Sequence, residues 1–291
     1  MTSITKISHP YYYLLKAMRP HHWVKNLVVF AAPLFALQLD ATSVLLASVA
    51  FIVFSLTASS FYLINDVADV KADRQHPIKC KRPIAAGLVP VPVALLTAVT
   101  CLAGSLLISF SITPWLGISV GTYALVQTGY NLGLKHEPII DILCISAGFV
   151  LRALGGAAAT AVPVSDWFVL CVGLLALYLG IEKRKAELKS LGSKGTTRRV
   201  LKQYTLPWLN RMESVVTAST LMSYSLWAID EAKSHWMLAT IPFVTYGIFK
   251  YQALSEQGEG EAPEITLFKS TQLFLTLLLW ALTSLLILSL S

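Results

Sequence analysis

Apolar stretches close to the length of a membrane crossing alternate along this chain with short polar connections. Candidate spans fall at about 24–39, 43–65, 90–110, 114–133, 138–160, 166–182, 212–230, 235–251 and 270–290. A helix of roughly 20 apolar residues crosses a hydrocarbon core, and shorter runs must recruit their flanks. The pattern predicts an all-α polytopic membrane protein, a bundle of about nine transmembrane helices forming one integral domain over residues 1–291. The first span is short and carries Lys25 and Asn26 near its start, which suits a tilted or partly interfacial segment. The Gly-rich stretch at 257–263 reads as a flexible connection.

Composition agrees with the pattern. Hydrophobic residues make up 55% of the chain and charged residues 13%, whereas a soluble domain carries about 25% charged residues. Too little polar sequence remains for a separate soluble domain. A cleaved signal peptide is not expected, because no small-residue cleavage site precedes a soluble region. Cys80, Cys101, Cys144 and Cys171 stand at neither disulfide nor metal-ligand spacing and read as small buried hydrophobes. Any metal chemistry must therefore use oxygen ligands.

The charge of +7 is distributed unevenly. Lys6, Lys16, Arg19 and Lys25 precede or begin the first span, and the 66–89 loop adds Lys71, Arg74, Lys79, Lys81 and Arg82. Lys135, the 183–211 loop and the 250–269 loop continue the same set. The opposite connections, near 40–42, 111–113, 161–165 and 231–234, contain a single basic residue, Lys233. Lys/Arg bias sets orientation, so the basic side is expected to be cytoplasmic, in a cell (inner) membrane. Both anionic headgroups of the bilayer and phosphorylated substrates account for such a face. A nucleic-acid partner is not expected, and homo-oligomerisation is left open.

The strongest constellation is Asn65-Asp66-Val67-Ala68-Asp69-Val70-Lys71-Ala72-Asp73, whose three carboxylates at i, i+3 and i+7 share one helix face. Like charges so placed repel. Mg²⁺ offsets that repulsion and completes its shell with waters and phosphate oxygens; a solvated acidic turn is the plain alternative. On the metal reading, an Asp→Asn change relieves repulsion, so metal-free stability is expected to hold or rise. Lys79, Lys81 and Arg82 follow directly, either as phosphate ligands or as ordinary residues of the basic face. Arg152 lies well inside the fifth span, where a cation costs at least about 2.5–3.5 kcal/mol, so an anion is expected to meet it. Asp141, eleven residues before it, is too far along the helix to pair directly. Tyr130 and Lys135 stand at the mouth of the fourth span, as phosphate contacts or interfacial residues. Lys25 divides evenly between snorkelling and the site. His21, His22 and His76 read as polar surface, and Trp115, Trp167, Trp227, Trp236 and Trp280 as interface anchors.

Asn65-Asp66-x-x-Asp69-x-x-x-Asp73, followed by Arg82-Pro83-Ile84 and Gly87, resembles the first aspartate motif of the UbiA-type intramembrane prenyltransferases. The resemblance extends over essentially the whole chain. It implies a nine-helix bundle in which Mg²⁺ on Asp66, Asp69 and Asp73 holds a diphosphate in a membrane-facing cavity. The segment from Arg19 to Asn26, Tyr130-Asn131-Leu132-Gly133-Leu134-Lys135 with Asp141, and the stretch from Gly148 to Ala153 are similar to the decaprenyl-phosphate phosphoribosyltransferase branch. So is Glu182-Lys183-Arg184-Lys185-Ala186-Glu187-Leu188, where other relatives carry a second aspartate motif. Basic residues at that place favour a sugar-phosphate donor bearing an additional phosphate.

The resemblance implies a donor, 5-phosphoribosyl 1-diphosphate, and an acceptor, a decaprenyl-like polyprenyl phosphate. The expected catalytic set is Asp66, Asp69, Asp73, Lys135 and Arg152. The expected substrate contacts are Lys25, Asn65, Lys79, Arg82, Tyr130, Asp141, Lys183, Arg184 and Glu187. Lys183, Arg184 and Lys185 are expected to form the 5-phosphate pocket with Lys135 and Arg152. Prenyl transfer from a prenyl diphosphate to an aromatic acceptor is the alternative on the same fold. Transport of an anionic solute is the alternative of another class, and it would favour broken helices in paired repeats.

Overall fold

The computed structural model describes residues 10–190, 199–230, 234–258, 260 and 263–290. Every regular element among them is helical. A short helix α1 (Pro10–Ala17) leads into a 3-10 stretch (Pro20–Phe30) and α2 (Ala31–Phe35). Next come α3 (Ala41–Ala68), α4 (Val70–Gln75), α5 (Val91–Ile112), α6 (Pro114–Leu132), α7 (Ile140–Thr160) and α8 (Asp166–Lys189). The chain continues with α9 (Leu206–Asp230), a 3-10 turn (His235–Thr240), α10 (Ile241–Glu256), α11 (Pro263–Lys269) and α12 (Thr271–Leu290).

Among the described residues, α3, α5, α7 and α12 are long and apolar enough by themselves to cross a membrane. The remaining expected spans fall on helices that are shorter or more polar. The long apolar helices also divide by depth. More than half of the apolar window of α3 and of α7 is buried (56% each), against 17% for α5 and 11% for α12. Thus α3 and α7 form the centre of the bundle, and α5 and α12 present leucine-rich faces to lipid. Chain neighbours pack together: α3 with α5, α5 with α6, α6 with α7, α7 with α8 and α8 with α9, while α10 packs on α12. The basic-poor turns start their helices with side-chain caps. Asp40 accepts from the amides of Thr42 and Ser43, Thr113 from Leu116 and Ser165 from Phe168.

The first expected span, 24–39, is displaced and differently wound. Eleven residues run as 3-10 helix from Pro20 and five follow as α-helix. At ~2.0 Å and ~1.5 Å of rise per residue, these sixteen positions reach about 30 Å, a full hydrocarbon thickness. As α-helix alone they would reach only about 24 Å. The sequence expectation of a tilted or interfacial segment assumed α pitch. This segment packs on α3 and α7, where Val29 joins Phe54, Leu116, Val120 and Tyr123 in the central core.

Gly156 permits that approach. A Cβ there would stand 1.9 Å from the Val29 carbonyl oxygen, a backbone atom that cannot rotate aside. Gly156→Ala is expected to destabilise the bundle by about 1–3 kcal/mol through forced separation of α7 from the first segment. A thermal-unfolding midpoint in detergent equal to that of the parent would refute the tight contact.

Candidate active site

The first segment runs antiparallel to α3 and is pinned to it at three levels. Asn26 donates to the Ser55 hydroxyl at 2.8 Å, and the Trp23 indole donates to Ser59 at 3.0 Å. Ser59 in turn donates to the Met18 carbonyl at 3.0 Å. At the basic end, Arg19 reaches Asp66 Oδ1 at 2.7 Å from a left-handed backbone conformation (φ 56°). Non-glycine residues rarely adopt that conformation. In the sequence Arg19 reads as part of the basic face and as the start of the branch-like 19–26 segment, without a role in the site; the structure puts it on the aspartate motif.

The motif is split across a helix junction. α3 ends at Ala68, and Asp69 occupies the link to α4. Asp66 and Asp73 are both 2% exposed and share one cation: Arg82 Nη1 lies 2.6 Å from Asp73 Oδ2 and 3.1 Å from Asp66 Oδ1. Gly87 at φ +74° lets the 82–89 loop fold back. Ile84 is buried against α3 and α5, and Arg74 donates to the Ala85 carbonyl at 3.2 Å. Asp69 is half-buried and accepts from Asn65 at 3.1 Å, while Lys135 Nζ approaches Asn65 Oδ1 at 3.4 Å. The expectation of three carboxylates repelling one another along one helix is therefore corrected. Two are neutralised by guanidinium groups, and the third is turned toward Asn65.

No group of three His, Cys, Asp or Glu side chains among the described residues is drawn together as a ready metal cage. The donor chemistry still fits Mg²⁺, which takes one or two carboxylates, keeps waters and fills its remaining positions with phosphate oxygens. Oxygen donors on α3, on the junction and on α4 stand beside Arg19, Arg82 and Lys135, cations suited to diphosphate oxygens.

The end of α8 meets the same face. Helix α8 continues past the expected boundary at 182 to Lys189, because its charges are matched within the fold. Arg184 is fully buried and donates from Nε to Asp141 Oδ2 at 2.6 Å. Its Nη1 is bonded to Glu187, and its Nη2 lies 3.4 Å from the Tyr130 hydroxyl. Lys185 is enclosed by Glu182, Glu213 of α9 and Glu256 of α10. The hydrogen bond from Lys189, itself 2.5 Å from Glu256, holds the Glu256 carboxyl below its ordinary range. Arg184 and Lys185 are thus internal ion-pair partners, and they do not form the open cationic pocket read from the sequence. Lys183 is half-buried, Lys79 is exposed, and Lys25 is half-buried on the 3-10 stretch.

Arg152 is the largest departure. Asn26 Oδ1 takes its Nε at 2.5 Å, the Gly148 carbonyl takes Nη1 at 2.7 Å, and the Tyr123 hydroxyl takes Nη2 at 2.9 Å. The guanidinium also lies over the Tyr123 ring at 4.6 Å. Neutral acceptors meet this cation, and no carboxylate among the described residues pairs with it. Its partner Asn26 bonds Ser55, eleven residues before Asp66 on α3, about 16 Å at ~1.5 Å per residue. That separation keeps Arg152 out of contact with the aspartate motif. The polar Asn26 inside an apolar run was the available signal for this partnership.

The fold and this arrangement define a multi-pass α-helical membrane protein whose carboxylate motif and cations gather at one end of the bundle. The sequence profile of the UbiA prenyltransferase family matches residues 26–278, and the chain belongs to that family. The decaprenyl-phosphate phosphoribosyltransferase of Corynebacterium glutamicum is 37% identical over 92% of this chain and 84% of its own length. The enzyme of the same name from Mycolicibacterium smegmatis is 39% identical over 92% and 89%. A UbiA homologue from Archaeoglobus fulgidus, solved with DMAPP and Mg²⁺, superposes with a TM-score of 0.72 over 96% of this chain and 99% of that one, at 17% identity.

Proposed function

We propose that this chain transfers 5-phosphoribose from 5-phosphoribosyl 1-diphosphate to a decaprenyl-like polyprenyl phosphate, releasing diphosphate and supplying a lipid-linked pentose for cell-envelope polysaccharide. The observation that carries the reading is identity of 37–39% to phosphoribosyltransferases across more than nine-tenths of the chain. Of the basic run at 183–185, Lys183 is the residue that supports a phosphate-bearing donor, since Arg184 and Lys185 are matched by carboxylates within the fold.

An oxygen of the lipid phosphate attacks C1 of the ribose, and the C1–O bond to diphosphate breaks with its electron pair leaving on diphosphate. The acceptor is already anionic, so no general base is needed. Positioning and charge stabilisation carry the rate. Asp66, Asp69 and Asp73 would hold Mg²⁺, which when bound supplies charge neutralisation on the leaving diphosphate. Arg82, Lys135, Asn65 and Arg19 grip the diphosphate oxygens, and Lys79, Lys183, Tyr130 and Lys25 are the further donor contacts. Asp141, Arg184 and Glu187 brace that end of the site, and Arg152 holds the first segment in place. The site faces the cytoplasm, with the lipid tail in a groove open to the bilayer.

The test is turnover of labelled donors by purified protein. Phosphoribosyl diphosphate with polyprenyl phosphate is expected to react, and excess EDTA to abolish the reaction. Prenylation of an aromatic acid without consumption of the sugar donor would replace this reading by prenyl transfer. Solute flux in vesicles that survives EDTA would replace it by a carrier.

A further inference from the structure

Between α8 and α9, residues 199–205 return across the basic end of the bundle, and their burial is dominated by Val200, Leu201 and Tyr204. These pack on Ile142 of α7, Ile181 of α8 and Leu209 of α9. One side chain does more than pack. The Tyr204 hydroxyl accepts the Ile139 amide at 2.6 Å and donates to Asp141 Oδ1 at 2.6 Å. Asp141 is fully buried, and its other oxygen holds Arg184. Burial and the bond to Asp141 raise the Tyr204 phenol above its ordinary range, so it remains a donor at neutral pH.

Ile139 has φ 69° and ψ −50°, a region that a β-branched residue enters only when its surroundings hold it there. The preceding residue of the strap, Gln203, donates to the His136 carbonyl at 3.4 Å. Two consecutive strap residues therefore grip both sides of the turn at 134–139, and that turn carries Lys135 toward Asn65 and Asp69.

We propose that Tyr204 is a positioning residue for the diphosphate end of the site: through Ile139 it sets the Lys135 turn, and through Asp141 it sets Arg184. The inference rests on the reading of this face as a diphosphate site. It does not depend on which donor carries the diphosphate.

The probe is Mg²⁺ with inorganic diphosphate, titrated calorimetrically into the full-length protein, together with hydrogen exchange of residues 134–141. Tyr204→Phe keeps the ring and its contact with Trp208 but leaves the Ile139 amide and Asp141 Oδ1 without the hydroxyl. Faster exchange at 134–141 and a diphosphate Kd raised roughly tenfold are expected. The KM for polyprenyl phosphate should stay within about twofold, because the cation this turn carries, Lys135, is assigned to the diphosphate. Gln203 is exposed, so Gln203→Ala folds normally and is expected to raise the same Kd by roughly two- to threefold. It carries the test alone if the tyrosine variant is not recovered. An unchanged diphosphate Kd in the recovered variants, or no binding by the parent, overturns the proposal. A parent that binds Mg²⁺-diphosphate but does not consume phosphoribosyl diphosphate removes the proposed function and leaves the positioning role standing.

Discussion

Asp66→Asn and Asp73→Asn are expected to lower turnover by roughly 100-fold or more while also lowering the thermal midpoint of the metal-free protein. The activity loss follows from removing a charged ligand at the place where leaving-group charge must be neutralised. The stability loss follows from Arg82, which bridges both carboxylates, and from Arg19 on Asp66. Each amide leaves a cation facing a neutral group, at a cost of about 1–3 kcal/mol given the partial exposure of both arginines. Repulsion among the three carboxylates alone would predict the opposite sign, and Arg19 and Arg82, brought in as counter-ions by the fold, reverse it. Asp69→Asn separates the two effects. Asp69 is half-buried and its carboxylate accepts from the neutral Asn65 amide, so stability should change by less than about 0.5 kcal/mol while activity still falls. Full parental activity in the Asp69 and Asp73 variants would return the motif to a plain acidic turn.

The second large effect is expected at Asp141 and Arg184. Both side chains are fully buried, so removing Arg184 leaves the Asp141 charge without a counter-ion in the interior, and removing Asp141 leaves Arg184 with the half-buried Glu187 alone. Asp141→Ala and Arg184→Ala should each cost about 3–5 kcal/mol, whereas an apolar pair of similar volume, Asp141→Leu with Arg184→Met, should recover much of that loss. Thermal unfolding of the parent, Asp141→Leu, Arg184→Met and the double variant as a cycle measures the coupling, and additive losses would contradict a direct pair. Arg184→Ala is thus expected to report first on folding, while Lys183→Ala reports on donor affinity.

Helix positions, the basic side and the aspartate motif could be read directly, because each is written in local periodicity, loop charge or spacing. Asp66, Asp73 and Arg82 do gather at one end of the bundle. What could not be read is long-range pairing. Arg184 and Asp141 stand 43 residues apart, and Arg152 and Asn26 stand 126 apart. Nothing in a basic run distinguishes a lysine or arginine that faces a cavity from one already matched by a carboxylate of another helix. Arg152 shows the same limit from the other side. The insertion cost correctly demanded compensation, but three neutral acceptors and an aromatic face supply it as well as an anion.

The 3-10 winding of the first segment changes what kinds of sequence variation it can absorb. With three residues per turn, Trp23, Asn26 and Val29 fall in one straight row, and each finds its partner there: Ser59, then Ser55 with Arg152, then Gly156. Side chains three apart in an α-helix lag by about 60°, so the same row would be twisted by about 120° from its first member to its last. Sequence drift in this segment is therefore phase-locked to multiples of three. Within the row Asn26 must both accept from Arg152 and donate to Ser55, and inserting or deleting one residue between 23 and 29 slides every later partner out of register, from the indole at one level to the glycine notch at the other.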